Sequence, residues 1–286
     1  MASHRKLRAA AVVCAVVVAG PAPAAAWAAT TAPAAPNGAA APAAPAAPAV
    51  PPGARAAAPT PAPDPFAHLT ADEIGQRAVT ATRSATSLRM TGRVVSDGQP
   101  LDIDFAVNDR DECTGLMRIK GGTAELRRAD HVTYMKGDEA FWRVSMSSQG
   151  IPEPQISATL ELIKGRWLKI APGQAGSEAL SGVCDLKSLL DDLDKDKQQR
   201  SGLTRGPDGS VAGTPVATLV KKRTEGGTTT VSVAERGKPY ILKIVKAGGD
   251  EPGTMLFRDY DKPVVVKTPP ADQTVDLSKL DGGVPA

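Results

Sequence analysis

Alternation is the feature that most restricts this chain. Leu88, Met90, Gly92 and Val94 are separated by Arg89, Thr91 and Arg93. After Asp97-Gly98, the residues Leu101, Ile103, Phe105 and Val107 are separated by Asp102, Asp104 and Ala106. A period of two places each apolar set on one face of a strand, and Asp-Gly between two such runs is a hairpin signal. A sheet with one apolar face has to bury that face against another element.

The same reading extends in both directions. Strands are expected over 114–120, 123–128, 131–136 and 139–144, with Gly121-Gly122 and Gly137-Asp138 as turns. A later set is expected over 214–222, 228–234, 240–246 and 254–260. Val264-Val265-Val266, ahead of Pro269-Pro270, is expected to close the sheet. Helices are marked by a period near 3.6. Thr70-Ala71-Asp72-Glu73 reads as a capping box, with Leu69 at the staple position. Ile156, Leu160 and Ile163 share one face of a helix expected over 154–164. Leu186, Leu189, Leu190 and Leu193 do so over 184–193. A helix, some six strands, two helices and some four strands, each with one apolar face, are satisfied together by a strongly curved antiparallel sheet wrapped around its helices. The expected fold class is α+β, an incomplete (half) β-barrel with helices on its concave face.

The N-terminus has a different character. Met1 to Arg8 is basic, and the run from Ala9 to Ala19 is uncharged and rich in Val. Gly20, Pro21 and Pro23 then end it, and Ala26-Trp27-Ala28 supplies an A-x-A cleavage pattern. A signal peptide over 1–28 is expected, rather than an anchor helix of about 20 apolar residues. Cys14 lies inside the apolar run after Val13, a poor position for a lipidated cysteine. Over residues 30–64, Ala and Pro fill 26 of 35 places. So much Pro excludes helix and packed core alike, so residues 29–64 are expected to be a disordered linker. Either compositional drift or a spacer role fits it. The folded domain is expected over 65–286.

Loss of Arg5, Lys6 and Arg8 with the signal leaves 31 basic and 31 acidic residues. That balance does not suit nucleic acid or an anionic surface as the main partner. Two cysteines remain, Cys113 and Cys184. In an exported chain they are expected to pair, closing a loop of about 70 residues worth roughly 4 kcal/mol by loop entropy.

Catalytic signals are sparse. His68 and His131 are the only histidines after the signal, too few for a zinc set. There is no G-x-S-x-G, H-E-x-x-H or phosphate-binding glycine loop. Asp192, Asp194 and Asp196 have calcium-loop spacing, but Lys197 and Leu203 stand where an EF-hand needs Gly and Glu. No enzyme, metal or cofactor is expected. Ten aromatic residues in the whole chain do not favour a carbohydrate-stacking platform. Phe141, Trp142 and Trp167 could form a small cluster. Met90, Met117, Met135, Met146 and Met255 suit either core or an adaptable binding surface.

Certain segments taken together carry a resemblance. They are Glu112-Cys113-Thr114-Gly115, Tyr134-Met135-Lys136-Gly137, Phe141-Trp142, Gly165-Arg166-Trp167-Leu168-Lys169, Cys184-Asp185-Leu186, Gly237-Lys238-Pro239-Tyr240 and the run from Phe257 to Val264. Over residues 66–281 the chain resembles the actinobacterial exported lipoproteins related to LppX and LprG, with their LolA/LolB-like half-barrel. The resemblance implies an apolar cavity for acyl chains of lipids or glycolipids and no catalytic residues. It departs from that group in lacking a convincing lipobox cysteine.

The expected function is therefore a non-enzymatic envelope protein holding an apolar ligand, with a structural or sensory module of filled core as the alternative. The expected cavity residues are Leu101, Ile103, Phe105, Met117, Ile156, Leu160 and Ile163. Expected partners are an apolar small molecule or lipid and, transiently, the outer face of the membrane.

Overall fold

The structure is a computed structural model that describes residues 64–96, 98–174, 177–195, 201–223, 226–249 and 251–277. The expected signal peptide, and the expected linker up to residue 63, lie outside the described residues.

Helix α1, Ala71–Arg83, begins as its sequence dictates. The Thr70 side chain accepts from the Glu73 backbone N–H, and the Glu73 carboxylate accepts from the Thr70 N–H. The Thr70 N–H and hydroxyl both donate to the Glu73 carboxylate and hold it below its ordinary pKa. Five strands follow: β1 Ser87–Ser96, β2 Gln99–Asn108, β3 Cys113–Ile119, β4 Gly122–Ala129 and β5 Val132–Gly137. Each is antiparallel to the one before. Helices α2, Glu139–Ser148, and α3, Glu153–Ile163, lead to β6, Trp167–Ile170. Helices α4, Ser177–Cys184, and α5, Leu186–Lys195, come next. The C-terminal third holds the short β7, Thr204–Arg205, and β8, Gly209–Val211, then β9 Thr214–Lys222, β10 Thr228–Ala234, β11 Ile241–Ala247, β12 Gly253–Arg258 and β13 Thr274–Asp276.

All of these strands join one curved, unclosed sheet, in the order β13-β6-β5-β4-β3-β2-β1-β12-β11-β10-β9-β7, with β8 beside β9. The first meander and the last meet at the centre, where β1 pairs with β12 from Arg89↔Arg258 to Val94↔Gly253. The sheet is antiparallel except for one pair: β13 runs parallel to β6. The fold is the α+β half-barrel expected from the alternation.

The concave face is covered in two places. Against β1–β6, the helices α2 to α5 bury Phe141, Trp142, Met146, Ile156, Leu160, Ile163, Leu180, Leu186 and Leu190 on strand residues that include Leu88, Phe105, Val107 and Leu126. Against β9–β11, Phe66 and the α1 residues Ile74, Ala78 and Val79 pack on Ala217, Leu219, Val233 and Ile241. Phe257 of β12 touches both clusters. Each fully buried Leu, Ile or Phe contributes about 1.5–3 kcal/mol. Cys113 and Cys184 form the expected disulfide, with Cα atoms 5.3 Å apart, and tie β3 to the end of α4.

On the convex face the alternate positions pair as ions. Arg93 grips Asp102 at 2.6 and 2.7 Å, and Arg89 grips Asp104 at 2.7 and 2.6 Å. Arg93 thereby holds the Asp102 carboxyl below its usual range. Exposed pairs of this kind add only about 0–1 kcal/mol each. They keep the convex side wet and fix which face is buried.

Three expectations are corrected. Residues 139–144, expected as a strand, form most of α2, because the Asp138 carboxylate accepts from the Phe141 N–H at 2.7 Å and caps a helix. The helix expected over 184–193 is α5, displaced to Leu186–Lys195 because Asp185 accepts from the Ser188 N–H to start it; the separate α4, which ends at Cys184, was not expected. Val264, Val265 and Val266 join no strand, and Val265 is 71 % exposed. That segment is held from its side by the Arg127 guanidinium, which donates to the Lys267 carbonyl at 2.9 Å. The edge strand beside β6 is β13 instead.

Candidate functional site

The seven expected cavity residues all lie in one cluster, because strand parity and helix period agree. Phe105, Ile156, Leu160 and Ile163 are buried within it, Phe105 with 1 % of its surface exposed. Leu101, Ile103 and Met117 pack against it and stay partly exposed. The division follows from where the helices lie. Near Leu88 and Val107 the strands are roofed; toward the Gly98 turn, Val94, Leu101 and Ile103 are left partly exposed.

The register turns these partly exposed positions into a row. Met117 pairs with Ile103, Ile103 with Gly92, Gly92 with Met255, Met255 with Ile244, and Ile244 with Val231. All six are partly exposed. Beyond the row's ends, Ala124 and Leu219 are fully buried, each under its own helical cover. Leu101 and Val94, paired one step further along the strands, are also partly exposed. Six strands at about 4.8 Å spacing make a strip of roughly 24 Å. It is continuous, apolar and half-open, on the concave side of a curved sheet. The sequence reading found Ile103 and Met117. It did not bring Gly92, Met255, Ile244 and Val231 beside them, because the β1–β12 pairing joins residues some 160 positions apart.

A second feature lies at the sheet's other flank. The β5–β6 ladder stops at Met135↔Leu168, so Lys136 and Gly137 have no partner in β6. A cleft of about 460 Å³ opens beside them, lined by Leu116, Thr123, Glu125 and Lys136 from the convex face and by Trp142 and Leu160 from α2 and α3. Two glycines let α2 come this close. A Cβ on Gly122 would fall 2.2 Å from the Phe141 nitrogen, and one on Gly137 would fall 2.8 Å from Trp142 Nε1. Trp142 packs edge-to-face on Phe141, with ring centroids 5.2 Å apart. Trp167 does not join them; the Arg127 guanidinium stacks on it at 4.4 Å instead.

The cleft's carboxylates are engaged. Glu125 pairs with Arg127 at 2.6 Å, and Asp138 accepts from the Thr123 and Phe141 backbones. Glu139 pairs with Arg143 at 3.0 Å and, more loosely, with Lys164 at 3.8 Å. The hydrogen bond to Glu139 raises the Arg143 pKa.

His68 and His131 are exposed, and no group of three or more His, Cys, Asp or Glu side chains among the described residues could hold a metal ion. Asp192 and Asp194 fall within α5, and Asp196 lies outside the described residues. No described helix is long and apolar enough to cross a membrane. Of the methionines, Met90, Met135 and Met146 are core, while Met117 and Met255 are in the open row.

No protein-family model matches the chain, and no curated protein sequence matches it. Solved structures do. LprF from Mycobacterium bovis is 12% identical, with 70% of this chain and 96% of that one covered and a TM-score of 0.49. The Mycobacterium tuberculosis lipoprotein LppX is 14% identical, with 68% and 97% covered and a TM-score of 0.42. MucB in the Pseudomonas aeruginosa MucA/MucB complex is 15% identical, with 71% and 59% covered and a TM-score of 0.31. LppX is one of the two proteins that name the group the sequence resembles. At these identities and scores the likenesses carry no functional argument, and the case for function rests on the apolar row.

Proposed function

We propose that the domain is a non-enzymatic binding protein of the cell envelope whose concave face holds an apolar ligand, a lipid or glycolipid. The observation that carries this reading is the row Met117–Ile103–Gly92–Met255–Ile244–Val231, partly exposed between two helix-covered clusters. A continuous apolar strip left open on a concave surface is a feature that soluble domains keep for a partner. Its two methionines can adjust to chains of different shape. The basic start, apolar run and A-x-A pattern of residues 1–28 support an extracytoplasmic setting, as does the disulfide.

The test is saturable binding of a fluorescent phospholipid. Ile103→Asp puts a charge in the row at a partly exposed position, so it is expected to abolish binding while leaving the thermal transition in place. A second reading, a module whose core is filled by its own side chains, is favoured by the complete burial of Phe105, Ile156 and Ile163. It is the correct one if wild-type protein binds no lipid probe saturably.

A further inference from the structure

The cleft beside Lys136 has the makings of a site separate from the concave row. Its apolar surface comes from Leu116, Leu160 and Trp142. Its volume of about 460 Å³ lies in the range that holds a small organic ligand, roughly 300–1,000 Å³. Two polar groups of its lining residues lack partners. The Trp142 indole Nε1 is buried and has no acceptor, although Trp can only donate. A buried donor of this kind costs free energy that an incoming acceptor would recover. Lys136, the neighbour of the Gly137 against which Nε1 lies, makes no ion pair or side-chain hydrogen bond among the described residues. Its cross-strand neighbour Glu125 is turned to Arg127. Asp138 is committed to two backbone N–H groups, and Glu139 to Arg143 and Lys164. Lys136 is therefore the cleft's unpaired cation among the described residues, Lys164 being paired with Glu139.

We propose that this cleft binds a small anionic amphiphile, a single alkyl chain ending in a carboxylate. Lys136 and the Trp142 N–H receive the head, and Leu116, Leu160 and the indole face receive the chain. The proposal stands on the cleft alone and does not require the concave row to carry lipid.

Decanoate is the probe, titrated into ¹⁵N-labelled protein, with the Trp142 indole N–H signal assigned by comparison with Trp167→Phe. The expected result is a saturable shift of the Trp142 signal. Lys136→Gln should weaken decanoate by about tenfold, the size of a lost charge-assisted hydrogen bond, and decanol should bind at least as weakly. Leu116→Trp fills the cleft from the partly exposed convex face, where folding does not depend on it, and should remove the shift. Ile103→Asp, on the concave row, should leave the shift unchanged. The proposal is overturned if the Trp142 signal does not move, if decanol and decanoate bind alike, if Lys136→Gln has no effect, or if Ile103→Asp abolishes the shift.

Discussion

Asp138→Ala removes the group that makes residues 139–144 a helix. One Asp138 oxygen accepts from the Phe141 N–H at 2.7 Å and caps α2, and the other accepts from the Thr123 N–H at 2.8 Å and ties the cap to β4. Loss of an N-cap costs about 1 kcal/mol. A second charge-assisted bond at this exposed position adds about 1–1.5 kcal/mol. The expected total is about 2–2.5 kcal/mol, which for a domain of this length lowers Tm by roughly 4–10 °C. Urea titration followed by far-ultraviolet circular dichroism should show the midpoint falling with an unchanged slope, the mark of lost stability in an intact fold. Asp138→Asn keeps one acceptor and is a good cap, so it should cost less than half as much. A loss below about 0.5 kcal/mol for Asp138→Ala would refute the reasoning and return the decision on this segment to the burial of Phe141 and Trp142.

Further outcomes follow from other parts of the structure. Replacing Cys113 and Cys184 together by Ser should cost about 4 kcal/mol, measured as the urea midpoint, and reduction of the wild-type protein should give the same loss. Bonds from Tyr240 and the Thr86 backbone hold the Asp261 carboxyl down at about 2. A carboxyl lowered on folding stabilises the fold above its unfolded pKa, and that contribution is lost as pH falls through the folded value. The Tm gap between wild type and Asp261→Asn should therefore be constant above pH 5, narrow from about pH 4, and vanish only below about pH 2. Secreted protein should begin at Ala29 by N-terminal sequencing.

Much of the architecture is written locally. Alternation from Leu88 to Val107 gave both strands and their buried face, since the side-chain period of a strand admits one inward set. Thr70 and Glu73 gave the start of α1 through bonds three residues long. What escaped was decided across the chain. The capping carboxylate of Asp138 was readable as a turn, and Phe141-Trp142 favour strands by propensity. The helix wins because α2 can bury both rings against Gly122 and Gly137, and neither contact has a local signature. Val264 to Val266 have the composition of a strand, yet the edge they would extend is taken by Thr274–Asp276. The site divides in the same way. Parity placed Leu101, Ile103 and Phe105 on one face, but only the positions of the helices decide that Phe105 is roofed and Ile103 is not. The cleft was illegible because Leu116, Glu125 and Lys136 occupy convex positions while Trp142 and Leu160 come from helices.

The central claim is that the open concave row carries a lipid. Its most direct test is mass spectrometry of organic extracts from the protein secreted by its own host and purified without detergent, alongside Ile103→Asp prepared identically. A lipid species recovered near one per protein from wild type, and lost from Ile103→Asp, is the predicted result. Wild-type protein that yields no lipid above the variant would contradict the account.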